Sequence, residues 1–274
     1  MRHSLTFACN GSTLAATLDA ASGTTGLLIV SGGNEIRCGA HRGMAVLAQR
    51  IAGAGHPVLR FDRRGVGDSE GENDGFLSSR DDIAAALNAF RAASPALERV
   101  VAFGNCDAAS ALLLHQPLTV DALVLANPWT MEADGAEDGN NGGPALPPSA
   151  AIRARYLARL RDPASLRRLL RGEIDLGKLR RGMTKLLPRQ TVPASDSLGQ
   201  RVVSAIADLP IPATLLVATG DRTAQAFTEH WKIAPRELTA RIPLVTRDSA
   251  SHSFAGDDAV WLAERLLTAL ATAT

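Results

Sequence analysis

One feature restricts this chain more than any other: apolar runs of strand length, each ending on glycine or a small polar residue, recur between longer stretches of helical spacing. Residues 26–31 (GLLIVS) are continuously apolar, as in a strand covered on both faces. Residues 44–52 then carry apolar side chains at helical spacing, stop at Gly53 and Gly55, and lead into a second run at 57–61. That is one βαβ unit. A second follows, with an alanine-rich helix over 81–93, Ser78 or Ser79 as its N-cap, and a buried strand over 99–103. Residues 108–114 then predict a helix and 120–126 a strand. Two further strands are expected before all of these, at 4–9 and 13–18. Alternation of this kind specifies a largely parallel sheet covered by helices and extended by right-handed crossovers.

The pattern breaks at 132–148 (EADGAEDGNNGGPALPP), whose Gly, Pro, Asp and Asn content predicts a linker. Residues 151–189 contain ten Arg and two Lys against Asp162, Glu173 and Asp175. That local excess of nine positive charges, in a chain whose net charge is +1, leaves the remainder at −8. The sheet pattern resumes with a strand at 213–218, a helix at 224–231, a strand at 242–246 and a terminal helix at 257–271. The expected domains are therefore an α/β core over 1–127 and 209–274, with a helical, Arg-rich cap inserted at 128–208.

Balanced charge, with 29 Lys plus Arg against 28 Asp plus Glu, argues against a nucleic-acid partner. Cys9, Cys38 and Cys106 are odd in number and lack C-x-x-C spacing, which argues against a disulfide framework and a bound metal. No apolar run approaches the roughly 20 residues of a spanning helix. The N-terminus lacks the apolar core of a secretion signal, so a cytoplasmic protein is the expectation.

In open parallel sheets, ligands bind beyond the carboxyl ends of the strands. Four such positions carry chemistry here. Gly104-Asn105-Cys106-Asp107-Ala108 follows a buried strand, opens a helix and corresponds to the G-x-S-x-G elbow, with Cys106 in place of serine. Asp221 lies just past a later strand and His252 past the last one. Nucleophile, acid and histidine thus occur in the order of an α/β-hydrolase triad. Ser31-Gly32-Gly33-Asn34 supplies backbone N–H groups, from Gly33 or Asn34, that pair with the N–H of Asp107 as an oxyanion hole. Candidate substrate contacts are Glu35, Arg37, His41 and Arg42 beyond the glycine turn, together with Asn105 and Trp129. His115 lies too far along its helix to act as the base, and Cys9 and Cys38 are expected bystanders.

The chain resembles an α/β-hydrolase along essentially its full length. More specifically, VSGGNEIRCGAHRGM, RFDRRGVGDSEGEN, FGNCDAASALL and LVLANPW resemble the exosortase A system-associated hydrolase 1 family, found with bacterial exopolysaccharide and protein-sorting loci. The resemblance implies a mostly parallel eight-stranded sheet flanked by helices, with a cap as the variable insert; no cofactor is expected. It supplies no substrate. One departure is that Ser31-Gly32 stands where the wider fold carries His-Gly. The D-x-R-G-x-G-x-S segment from Asp62 to Ser69 is common in this fold and is expected to build a tight turn.

A cysteine nucleophile implies a thioester intermediate, because an imidazolium and a helix N-terminus both favour the thiolate. Thioesters are resolved by water or by an amine, alcohol or thiol, so hydrolysis of an ester, thioester or amide and acyl transfer both follow from the same residues. The basic segment reads either as a solvated helix face or as a landing site for an anionic partner such as CoA, an acidic acyl carrier protein or an acidic membrane surface. A non-catalytic binding protein on the same fold is the remaining alternative. The sequence does not specify an oligomeric state.

Overall fold

A computed structural model describes residues 1–132 and 197–273. Eight strands form one sheet: β1 (Arg2–Cys9), β2 (Ser12–Asp19), β3 (Thr25–Val30), β4 (Val58–Phe61), β5 (Arg99–Asn105), β6 (Ala122–Ala126), β7 (Ala213–Ala218) and β8 (Leu244–Arg247). Their spatial order is β1-β2-β4-β3-β5-β6-β7-β8. The first two strands run antiparallel to their neighbours, and all pairs from β4 to β8 are parallel. Direct succession through Asn10 and Gly11, both at positive φ, forces the β1–β2 reversal.

The described helices are α1 (Gly43–Gly53), α2 (Arg80–Ala93), α3 (Asp107–Leu114), α4 (Leu198–Ala207), α5 (Arg222–Lys232), α6 (Arg236–Arg241) and α7 (Asp258–Thr272). Met44, Leu47 and Ile51 of α1 join Leu262, Leu266 and Leu270 of α7 against one face of the sheet. The other face is covered by side chains such as Ile83, Phe90, Leu112, Val202, Phe227 and Trp231 from α2 to α5. This two-sided cover explains why β3 beyond Thr25 and all of β6 are apolar and why β4 departs only at the buried Arg60: a parallel strand inside such a sheet has no solvent face.

Two expectations change. Ser79 occupies the N-cap position of α2, but its hydroxyl donates to the Phe76 carbonyl at 2.7 Å and makes no side-chain cap bond to the helix. Helix α4 falls within the span expected as cap, yet Leu198, Val202 and Ile206 are buried in the core cluster. Its own Ser197 caps it, accepting the Gln200 N–H at 3.3 Å. The Arg-rich stretch itself, 151–189, lies outside the described residues.

The strand order has a consequence for chemistry. From β3 the chain crosses outward to β4, then returns to place β5 on the other side of β3. Loops leaving the adjacent β3 and β5 therefore diverge, and a crevice opens at this switch point.

Candidate active site

Cys106 sits between β5 and α3 with φ 63° and ψ −128°, a backbone conformation that a non-glycine residue adopts only under external constraint. The constraints are visible. Its N–H donates to Ala126 O at 2.9 Å, and its carbonyl accepts N–H groups of Ala109 at 3.1 Å and Trp129 at 3.2 Å. Gly104 permits the turn, since a Cβ there would lie 2.7 Å from the backbone of Ala108. The result is a partly exposed thiol at the N-terminus of a helix.

Asp221 ends the loop after β7 and caps α5, accepting the Ala224 N–H on Oδ2 at 2.9 Å. Its Oδ1 lies 3.0 Å from Nδ1 of His252. The loops carrying the two residues are joined directly: Thr219 N–H donates to Arg247 O at 2.9 Å and Gly220 N–H to Ser249 O at 2.8 Å. Phe254, buried and stacked on Trp261 of α7, anchors the far side of the histidine loop. Cys106, Asp221 and His252, 115 to 146 positions apart between the first and the other two, thus meet at one end of the sheet.

Electrostatics couple them. Hydrogen bonds to Asp221 and then to the Cys106 side chain outweigh desolvation and push the His252 pKa from 6.5 up to about 10. Burial of Asp221 favours its neutral form, but hydrogen bonds from His252 and the Ala224 amide prevail and hold the carboxyl below its usual range.

The carbonyl of His252 is held as well. Nδ2 of Asn105 donates to it at 3.0 Å and Nδ2 of Asn127 at 3.1 Å. Asn127 is fully buried, has φ 42°, and uses its own Oδ1 to accept the Ala218 N–H at 2.9 Å. Sequence reasoning assigned Asn105 to the substrate and missed Asn127. The structure assigns both to the histidine loop, and the only sequence signal was a polar residue ending the apolar run of β6.

Other candidates separate by what they touch. Gly33 N–H donates to Oδ1 of Asp107 at 2.6 Å, so this expected oxyanion donor is engaged with a side chain. Asn34 is exposed, its Oδ1 accepting from Asn73 at 2.7 Å. The N–H of Asp107 belongs to the first turn of α3, where helical amides lack intrahelical partners.

Glu35 accepts the Ala40 N–H at 2.6 Å and closes its own loop. Arg37 is committed to Asp62, to Asp68 at 2.8 Å and to Thr17 at 3.1 Å, which replaces the expected substrate contact by a structural one. Trp129 is half-buried against the core and accepts the Ser110 hydroxyl on its carbonyl, again a structural commitment. Arg42 is exposed, while His41 lines an apolar cavity of about 260 Å³ with Met44, Leu47, Phe254 and Leu262.

His115 bonds to Phe76 O at 3.0 Å, away from Cys106. Cys9 is buried on Asp82, and desolvation raises its pKa to about 11. Among the described residues no cluster of potential metal ligands occurs and no helix is long and apolar enough to cross a membrane.

Comparison with known proteins agrees with this architecture. The Pyrococcus furiosus esterase Pf2001 superimposes with a TM-score of 0.62 at 15% identity, covering 99% of this chain and 91% of that one. A thioesterase domain from the curacin biosynthetic pathway gives 0.58 at 15% identity, covering 97% and 99%. The haloalkane dehalogenase DatA from Agrobacterium tumefaciens gives 0.59 at 16% identity, covering 100% and 97%. These likenesses concern the fold. A search of curated proteins finds no match. Residues 28–265 match the alpha/beta hydrolase family, and the chain belongs to that family.

Proposed function

We propose that this hydrolase-family member cleaves acyl esters, thioesters or amides through Cys106, with His252 as the proton carrier and Asp221 as its orienting partner. The observation that carries the reading is the placement of His252: its Nδ1 lies 3.0 Å from Asp221 Oδ1, and the Cys106 side chain is near enough to help raise its pKa. With its pKa pushed up to about 10, His252 holds a proton at neutral pH and begins the cycle as the acid.

In the first half-reaction, the Cys106 sulfur attacks the carbonyl carbon, forming a C–S bond and an oxyanion. Collapse of that intermediate breaks the bond to the leaving group, which takes the proton from His252. A neutral thioester remains. Acylation of the Cys106 sulfur removes interactions that raised the His252 pKa, so the imidazole is freed to act as a base. It then takes a proton from water as the oxygen attacks the thioester, and release of the acid returns the proton to the Cys106–His252 pair.

A second reading, acyl transfer, is favoured by the choice of sulfur. A thioester reacts readily with amines and thiols, so an acceptor bound in place of water receives the acyl group. The charge of residues 151–189 supports an anionic acyl carrier, CoA or an acyl carrier protein, as donor. The motif likeness to exosortase A system-associated hydrolases supports a bacterial setting within this subgroup, and a reducing cytoplasm suits the free thiol.

The test is an ester, thioester and amide panel on the purified chain, with and without amine and thiol acceptors. Acid release that no acceptor diverts supports hydrolysis; acyl-acceptor adducts formed at the expense of free acid support transfer. Turnover of none of the three classes contradicts both.

A further inference from the structure

Asp107 has two parts with opposing effects on the chemistry just proposed. Its N–H, beside Cys106 at the start of α3, is suited to stabilise an oxyanion. Its carboxylate occupies the other donor, taking the Gly33 N–H on Oδ1 at 2.6 Å. A negative charge on that donor blocks it and repels the charge that develops on a carbonyl under attack. The arrangement is built in, because a Cβ on Gly32 would lie 2.7 Å from that same Oδ1.

A second partner for the carboxylate stands alongside. Arg63 is only 4% exposed, and its Nη2 donates to the Gly33 carbonyl. Oδ2 of Asp107 lies 3.7 Å from that nitrogen, in ion-pair range but beyond a hydrogen bond. Nη1 of Arg63 is buried and has no hydrogen-bond partner among the described residues. An unsatisfied buried N–H of a charged group is costly, and a planar guanidinium meets carboxylates through pairs of such donors.

Resting on the reading of Cys106 as an acyl nucleophile, we infer that the Asp107 carboxylate is a movable stopper on the oxyanion hole, held by the Gly33 N–H at rest and transferred to Arg63 when a carbonyl substrate binds. The exchange satisfies Nη1 at the moment when the Gly33 N–H turns to the substrate oxygen. It biases the site against carbonyl groups too weakly held to displace a charge-assisted hydrogen bond.

Two probes separate the stopper from the nucleophile. Iodoacetamide alkylates Cys106 by displacing iodide at a saturated carbon and forms no oxyanion. p-Nitrophenyl acetate acetylates the same sulfur through an oxyanion, releasing p-nitrophenolate. The ratio of acetylation to alkylation rates at one pH therefore cancels changes in thiol reactivity and reports on the oxyanion hole. In Asp107→Ala the ratio is expected to rise about tenfold, because the Gly33 N–H is released. Asp107→Asn retains an acceptor for that N–H without the charge, and its ratio is expected to lie between those of wild type and Asp107→Ala.

A ratio that is unchanged or lower in both variants, with Cys106 still reacting with both probes, overturns the stopper alone. Cys106 that is alkylated but acetylated in none of the three proteins overturns the acyl-nucleophile reading and the stopper with it.

Discussion

Two polar clusters built from similar residues lie near the carboxyl ends of the strands, and they have opposite uses. Around Asp62, after β4, the carboxylate accepts the N–H groups of Arg37 at 2.5 Å and Asp68 at 3.1 Å and the guanidinium of Arg37. That guanidinium also binds Asp68 and Thr17, while Arg60, itself buried, donates to Arg37 O at 2.7 Å. Every strong acceptor is matched by a donor, and Asp62 has no exposed surface. Around Asp221 the carboxylate also binds a backbone N–H, but its second oxygen holds His252, whose side chain is 42% exposed and also engages Cys106. A buried carboxylate with its acceptors filled makes the first cluster structural, whereas a titratable group linked to a partly exposed thiol leaves the second able to react.

The strongest way to break this comparison is to remove one member from each cluster. Cys106→Ala is expected to lower turnover at least about 10³-fold, while its urea midpoint moves by less than the equivalent of about 1 kcal/mol. Asp62→Ala is expected to cost about 3–5 kcal/mol in urea unfolding, because it removes one of the two carboxylates paired with the Arg37 guanidinium and leaves two N–H groups without their acceptor. A large stability loss in the cysteine variant, or a stable Asp62→Ala protein, would erase the distinction.

Asn127 links the two kinds of behaviour, being buried like Asp62 yet holding the histidine loop. Asn127→Ala leaves the Ala218 N–H without its acceptor and the His252 carbonyl with Asn105 alone. The expected loss is about 1–3 kcal/mol in stability, accompanied by a fall in kcat larger than the change in KM. An unchanged kcat in the folded variant would make Asn127 purely structural.

A smaller effect is a pH dependence. The folded state holds a proton on His252 up to about pH 10, whereas an ordinary imidazole releases it near 6.5. The native protein therefore binds more protons than the unfolded chain across that window, and stability falls with rising pH. The contribution of His252 is complete below pH 6.5 and lost as pH approaches 10. The stabilisation from the lowered Asp221 carboxyl has the opposite sense, present above the ordinary carboxylate range and lost on acidification. The melting-temperature difference between wild type and His252→Ala is expected to be greater at pH 6 than at pH 10. A difference that grows with pH would contradict the coupling.

The sheet was legible because a buried parallel strand must be apolar throughout and must end where its loop meets solvent. The strand over Ala213–Ala218 is found at its predicted bounds for that reason. Cys106 and Asp221 were legible because each follows such a run closely, and His252 because it lies in the loop after the last strand, Leu244–Arg247. What stayed hidden depends on side-chain pairing between distant segments. Nothing local indicates that Asn105 points to a carbonyl 147 positions away, or that the Asp107 carboxylate reaches Gly33. Helix α4 lies within the span expected as the insertion. Its apolar side chains at 198, 202 and 206 are spaced for burial, and that spacing was the better guide.

The central claim is that Cys106 carries the acyl group, and its most direct test is intact-mass spectrometry of wild type and Cys106→Ala during turnover of an acyl thioester. The account predicts a wild-type adduct equal in mass to the acyl group, released by neutral hydroxylamine, mapped to Cys106 and missing from the variant. An adduct of the same size on Cys106→Ala, or turnover by that variant at the wild-type rate, would contradict it.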